Sequence, residues 1–244
     1  MTMSNLWNAL RVFDRTVDES YYKANASGSN DKLEELFAEL ARAIIYGGHL
    51  RINNKFDIYV RSVEFYFHTE EKGRGNGFVR DPVMFHRSSM EGETPRDPHF
   101  FTLGYFYLHR FGLDITFEKE GKYRASALIK SFNVNVVDGH DESFAWEGKD
   151  VDKDWASSYI YDYIQFEERR GAEPNGDIHV EWIDDDGCPS DAKLSAKCQR
   201  AGIYKYKVEN GVLTKTSEKD DRPWRFYRAE PYNKLSRLLD ARKH

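Results

Sequence analysis

The chain has 244 residues, 40% of them hydrophobic, 32% charged and 15% aromatic, with a formal net charge of −5. That length supports a sizeable core in one domain or two, and no apolar run approaches the length of a membrane span. The N-terminus has no basic region followed by an apolar core, and the cysteines, Cys188 and Cys198, match no zinc or redox spacing; a reduced cytoplasmic protein without a secretory signal is the expectation.

In chain order, Asn25–Asp31 reads as a polar loop that caps a helix. Leu33, Leu36, Phe37, Leu40, Ala43 and Ile44 then recur at helical spacing, and Gly47-Gly48 ends the helix. Strands follow at His49–Ile52 and Phe56–Phe67, joined by a turn at Asn53-Asn54. Residues 69–98 form a long polar loop with four Gly and three Pro, a length often kept for function. Phe100–Phe117 reads as two strands meeting near Phe111-Gly112, and Tyr123–Val137 as another strand or pair. Residues 201–208 and 224–228 read as further strands and 230–243 as a short helix. Strands with helices at the edge predict an α+β fold.

Charge is segregated along the chain. Residues 131–198 carry 6 Lys/Arg against 17 Asp/Glu, whereas residues 199–244 carry 12 against 6. The net acidity argues mildly against nucleic acid, yet a basic face on the remainder stays open. The acidic stretch 138–191 also holds Trp146, Trp155, Tyr159, Tyr161, Tyr163 and Trp182, which is too aromatic for disorder.

Glu64 is the residue with the most chemical content. It sits in Arg-Ser-Val-Glu-Phe-Tyr, a carboxylate inside a β-branched and aromatic strand, where burial is costly unless the group is paired or kept for chemistry. The plain reading is an outward-facing charge beside Arg61 or Arg87. His68, His86 and His109 with Glu64 match no zinc pattern, so no metal is expected. Asp114 is equally consistent with stabilising a turn and with orienting a catalytic group.

Several stretches in order resemble the alkyladenine (methylpurine) DNA glycosylase family. They are Leu40-Ala41-Arg42-Ala43, Val63-Glu64-Phe65-Tyr66, Phe85-His86-Arg87, Gly104-Tyr105-Phe106-Tyr107 with Phe111-Gly112, and Ala127-Leu128-Ile129-Lys130. Arg200-Ala201-Gly202-Ile203 and Arg222-Pro223-Trp224-Arg225-Phe226-Tyr227-Arg228 complete the set, and the last of these is the most specific. The resemblance covers residues 36–132 and 199–230 and leaves 133–198 without a counterpart.

The resemblance implies a single α+β domain over residues 1–244, with a mainly antiparallel curved sheet and flanking helices like a formyltransferase C-terminal domain, and with 138–191 as an acidic insertion subdomain. It implies a monofunctional glycosylase acting without metal or other cofactor on double-stranded DNA that contains a modified, alkylated base, in a cytoplasmic, nucleoid-associated setting. The target nucleotide must leave the stack, because the glycosidic bond is out of reach inside the duplex. Carried over by position, Glu64 activates the water that attacks C1′. Tyr66, His86 and Tyr107 line the base pocket, Phe111 (where the family usually has Tyr) is the wedge, and Lys130, Arg225 and Arg228 contact the nucleotide or its phosphates. Two other readings stay open: the same fold binding a modified nucleotide or a protein without cleavage, and a hydrolase of free nucleosides. The acidic stretch 138–191 is a candidate partner site.

Overall fold

A computed structural model describes residues 5–17, 29–54, 56–69, 81, 83–84, 100–109, 112–136, 149–151, 179–185, 193–200, 202–209 and 212–228. Two helices lead, α1 (Asn5–Thr16) and α2 (Ser29–Tyr46). In α1, Leu6, Leu10 and Phe13, followed by Val17, fall on one stripe and are all buried. The sequence reading did not anticipate this helix. Part of the reason is that its first turn is satisfied from far away: the Asn5 amide donates to Asp184 Oδ1 at 3.2 Å. α2 buries Leu33, Phe37, Leu40, Ala41, Ile44 and Ile45, and ends where the Gly47 amide donates to the Ala43 carbonyl at 3.0 Å. It begins at Ser29, within the expected loop, of which residues 25–28 lie outside the described residues.

The strands are β1 (Gly48–Ile52), β2 (Phe56–Thr69), β3 (Phe106–His109), β4 (Gly112–Thr116), β5 (Tyr123–Val136), β6 (Lys149–Val151), β7 (Val180–Asp184), β8 (Leu194–Cys198), β9 (Tyr204–Glu209), β10 (Val212–Lys219) and β11 (Arg225–Arg228). Nine of them form one sheet in the order β3-β4-β5-β2-β1-β7, with β11 bridging β2 to β8 and β6 on β5. β9 and β10 make a separate two-stranded ribbon. Every described pairing is antiparallel. With two helices against it, the fold is α+β with a mainly antiparallel sheet. No described helix is long and apolar enough to cross a membrane.

β2 and β5, each 14 residues long, pair along their whole length and form the spine. Each has two neighbours in succession on its outer edge. At one end β2 pairs β1 through Phe56–Ile58 and β5 pairs β6 through Phe132–Val134. At the other end β2 pairs β11 through Ser62–Glu64 and β5 pairs β4 through Ser126–Leu128. The described parts of the acidic stretch, β6 and β7, are strands of this sheet and belong to the first end. To that extent the expected insertion subdomain 138–191 is built into the sheet, and its other residues lie outside the described ones. So do 230–243 and most of the loop 69–98.

Local chemistry fixes the turns. Asn53 and Asn54 both adopt positive φ, 50° and 56°, as a tight hairpin between twisted strands requires, and Asn tolerates this region well. Gly104 has φ 75°, and a Cβ there would stand 1.9 Å from the Trp7 ring, so only glycine fits beneath α1.

The helix-facing side of the spine is aromatic. Phe37 of α2 stacks between Phe13 (5.6 Å) and Phe65 (4.6 Å) and meets Trp224 edge-on at 5.1 Å. Phe37→Ala should destabilise the fold by about 3–5 kcal/mol, because it leaves a cavity that three rigid rings cannot fill. Urea unfolding measures this. A loss under about 1 kcal/mol would show that the layer repacks.

Candidate functional site

Alternation along the two long strands sorts side chains to opposite faces. Val63, Phe65 and Phe67 of β2, with Ala125, Ala127 and Ile129 of β5, belong to the core against the helices. Ser62, Glu64, Tyr66 and His68, with Arg124, Ser126, Leu128 and Lys130, take the other face. Both sets are buried. From Ser62 onward β2 is buried without interruption, whereas Phe56–Arg61 alternates. The register with β5 shifts between Val60 and Val63, so an irregularity directly precedes the carboxylate of Glu64.

Glu64 is 0% exposed, so the outward-facing reading of this residue is set aside. A buried carboxylate needs partners. The Tyr66 hydroxyl donates to Glu64 Oε1 at 2.5 Å, and Lys130 Nζ stands 3.4 Å from the same oxygen. Burial raises the Tyr66 pKa well above the ordinary tyrosine value, and the negative charge and hydrogen bond of Glu64 raise it further. Tyr66 therefore remains a phenol, a fixed proton donor to the carboxylate.

Register sets other candidates in one row with this group, with Tyr107 three strands away in the order β3-β4-β5-β2. Tyr107 lies opposite Asp114, Asp114 opposite Leu128, Leu128 opposite Glu64, Glu64 opposite Arg225 and Arg225 opposite Cys198. Directly opposed residues share a face, so one row crosses the sheet with Tyr107, Asp114, Glu64 and Arg225 on the same side. Tyr107 also packs on Phe101, with ring centres 4.5 Å apart. Tyr227, two residues beyond Arg225, is on this face too. Its hydroxyl lies 3.6 Å from Cys198 Sγ, and burial and this contact push its pKa up to about 12.

The structure thus brings Glu64, Tyr66, Lys130, Tyr107 and Arg225 to one face. Arg228 is a correction. It shares the parity of Phe226, which is in the core, and its guanidinium sits 5.1 Å from the Tyr46 ring at the end of α2. Strand alternation puts it on the helix side, away from Glu64. His86 and Phe111 lie outside the described residues. His68 accepts a hydrogen bond from the Asp81 amide through Nδ1 at 3.1 Å, and among the described residues no group of three His, Cys, Asp or Glu is placed to hold a metal ion.

Sequence reading missed a buried ion network beside Tyr66. Arg200 donates to Asp81 Oδ2 (2.5 Å) and Oδ1 (3.2 Å) and to Asp220 Oδ2 (2.5 Å). Arg222 donates from Nε to both Asp220 oxygens at 3.0 Å. The Arg200 guanidinium lies 4.9 Å from the centre of the Tyr66 ring and 5.4 Å from that of Trp224. Burial works against the charge on Arg200, but Asp81 and Asp220 outweigh it and raise its pKa. Nothing local marks this pairing of Arg200, whose partners lie 119 residues before it and 20 residues after it. A legible sign is the pair of acids followed by a base in Asp220-Asp221-Arg222.

No family model matches the chain, and searches of curated proteins and of solved structures return no match.

The network carries a pH signature. Burial pushes the Asp220 carboxyl up, but hydrogen bonds from Arg222 and the charge of Arg200 pull it further down, so it ends well below the ordinary carboxylate range. A depressed folded pKa gives stability that is complete above the unfolded value of about 3.9 and is lost as pH falls toward the folded value. Urea stability should therefore decline below about pH 4. Asp220→Asn should lower stability at pH 7 and flatten that acid decline. An unchanged acid limb in the variant would remove Asp220 as its source.

Proposed function

We propose that this protein is a divergent DNA glycosylase of the alkyladenine type. In this reading it flips a modified, alkylated base from the duplex and hydrolyses its N-glycosidic bond with water activated by Glu64. The observation that supports it is a buried strand carboxylate, oriented by a phenol and an ammonium, on a sheet face that also holds Tyr107 and Arg225. The formyltransferase C-terminal-domain-like arrangement belongs to the same proposal.

The chemistry follows from the arrangement. Cleaving a glycosidic bond builds positive charge on the sugar, which an adjacent carboxylate stabilises while it takes a proton from the attacking water. Tyr66 fixes one carboxylate oxygen by donating to it, and Lys130 offsets the cost of burying the charge. Tyr107 offers a flat face to an electron-poor base. Arg225, opposite Glu64 on the neighbouring strand, is in this reading a cation for the phosphate next to the scissile bond. With Glu64 fully buried, a nucleotide reaches it only as the cover moves. Val83, Met84 and Ile203 pack against Tyr66 and Leu128 and form part of that cover.

Full burial also favours a second reading, in which the Glu64–Lys130 pair is structural and the protein binds a modified nucleotide without cutting it. One experiment separates the two. Release of labelled base is followed on alkylated, deaminated and hypermodified duplexes, beside binding to the same duplexes. Glu64→Gln should slow release by at least about 10²-fold and leave binding intact or slightly tighter, because the carboxylate acts in the transition state. Binding by wild type without release supports the second reading. Full activity in Glu64→Gln would show that another group is the base.

A further inference from the structure

The β9–β10 ribbon has no part in the chemistry above, yet it is rooted in the site. Among the described residues it pairs with no strand of the main sheet. A lone two-stranded hairpin is marginally stable, so something else must hold it. The buried ion network does. Arg200 precedes β9, Asp220 and Arg222 follow β10, and both arginines bind Asp220 and Asp81. The Asp220 amide also donates to the Ile203 carbonyl at 3.0 Å, closing the base of the ribbon. Ile203 packs against the cluster of Tyr66, Met84 and Leu128. The ribbon thus leaves the body on the side of the sheet that carries Glu64.

Its two faces differ in charge. Lys215 opposes Tyr206 and Lys219 opposes Tyr204, which puts two lysines and two tyrosines on one face. Lys215 Nζ lies 4.0 Å from the centre of the Tyr204 ring. Among the described residues no carboxylate pairs with Lys215 or Lys219, and both lysines are exposed. Lys205 is on the opposite face, where Asp221 (3.0 Å) and Glu218 (3.6 Å) neutralise it. The pairing shifts between Lys215 and Lys219, which adds twist to the strand that carries them.

We propose that the Tyr204, Tyr206, Lys215 and Lys219 face of the β9–β10 ribbon is a nucleic-acid contact arm that grips the phosphate backbone of duplex DNA beside the target nucleotide. The inference rests on the glycosylase reading and adds a second point of contact to it. Unneutralised lysines supply the sequence-independent attraction to phosphates, and the tyrosines give flat surfaces against sugars and any unstacked base. Arg200 and Asp220 anchor the ribbon beside Asp81 and the Tyr66 ring, so the grip falls next to the site.

The test is fluorescence anisotropy of the full chain on a labelled undamaged duplex across about 50 to 200 mM salt, with single-turnover base release on the same lesion panel. Lys215→Gln and Lys219→Gln together should weaken binding roughly tenfold at low salt and reduce the slope of log affinity against log salt by about two. Base release at saturating protein should be unchanged. Lys205→Gln alters net charge as much as either single variant, and should leave the slope as in wild type. All these positions are at the surface, and circular dichroism confirms folding of each variant. If wild type binds duplex but the double variant keeps its affinity and slope, the arm is refuted while the glycosylase reading stands. If Lys205→Gln lowers the slope as much as Lys215→Gln, the face assignment is wrong. If wild type binds no duplex, both readings fall together, and an acidic protein becomes the partner to seek.

Discussion

Burying both faces of the β2–β5 spine is the constraint on which the rest of this structure depends. An antiparallel pair commonly covers one face and leaves the other to water. Here the helices cover one face with stacked rings, and the opposite face is covered although it carries Glu64, His68, Arg124 and Lys130. Each of these groups would cost several kcal/mol if it were left without a partner. The polar face therefore has to be a network. Tyr66 serves Glu64, Lys130 balances it, and the Asp81 amide serves His68. Such a network tolerates few alternative arrangements, which holds each of its side chains in place.

Tyr66 joins two charged clusters that are distinct in sequence. Its hydroxyl orients Glu64, and its ring lies against Arg200, which holds Asp81 and Asp220. Movement of the segment carrying Asp81, Val83 and Met84 would disturb Arg200, and through it the ring that positions the carboxylate. The position of that segment and the orientation of Glu64 are thus linked through contacts present in the folded chain.

Charge segregation along the chain becomes spatial segregation in the sheet. The described strands of the acidic stretch, β6 and β7, flank the end of the spine that pairs with β1. β11, from the basic stretch, lies against Glu64 and its neighbours at the other end. The negative net charge of the whole chain therefore says little about the potential near Glu64, where Lys130 and Arg225 stand with Asp114 and where Arg200 is matched by Asp81 and Asp220. Clustering, not total charge, decides what kind of partner a face attracts.

Much of this architecture was legible in the residues themselves. The α2 stripe, its stop at Gly47, the Asn53-Asn54 turn and the strands around Glu64, Phe106 and Tyr123 all rest on short-range periodicity and turn chemistry, which act over a few residues. The pattern Ser62, Glu64, Tyr66, His68 against Val63, Phe65, Phe67 already separated a polar from an apolar face. It could not say that both faces are buried, because burial depends on what arrives from elsewhere in the chain. For the same reason α1, capped by Asp184, escaped a local reading, as did the ion network of Arg200. The motif that grouped Arg225 with Arg228 was silent on their separation, since three residues along a strand reverse the face. Sequence determined the elements that carry a local periodicity or turn signal, and the chemical types available. Only the tertiary structure decided that Glu64 meets Tyr66, Lys130 and Arg225, because register between strands distant in the chain is set by packing over the whole sheet.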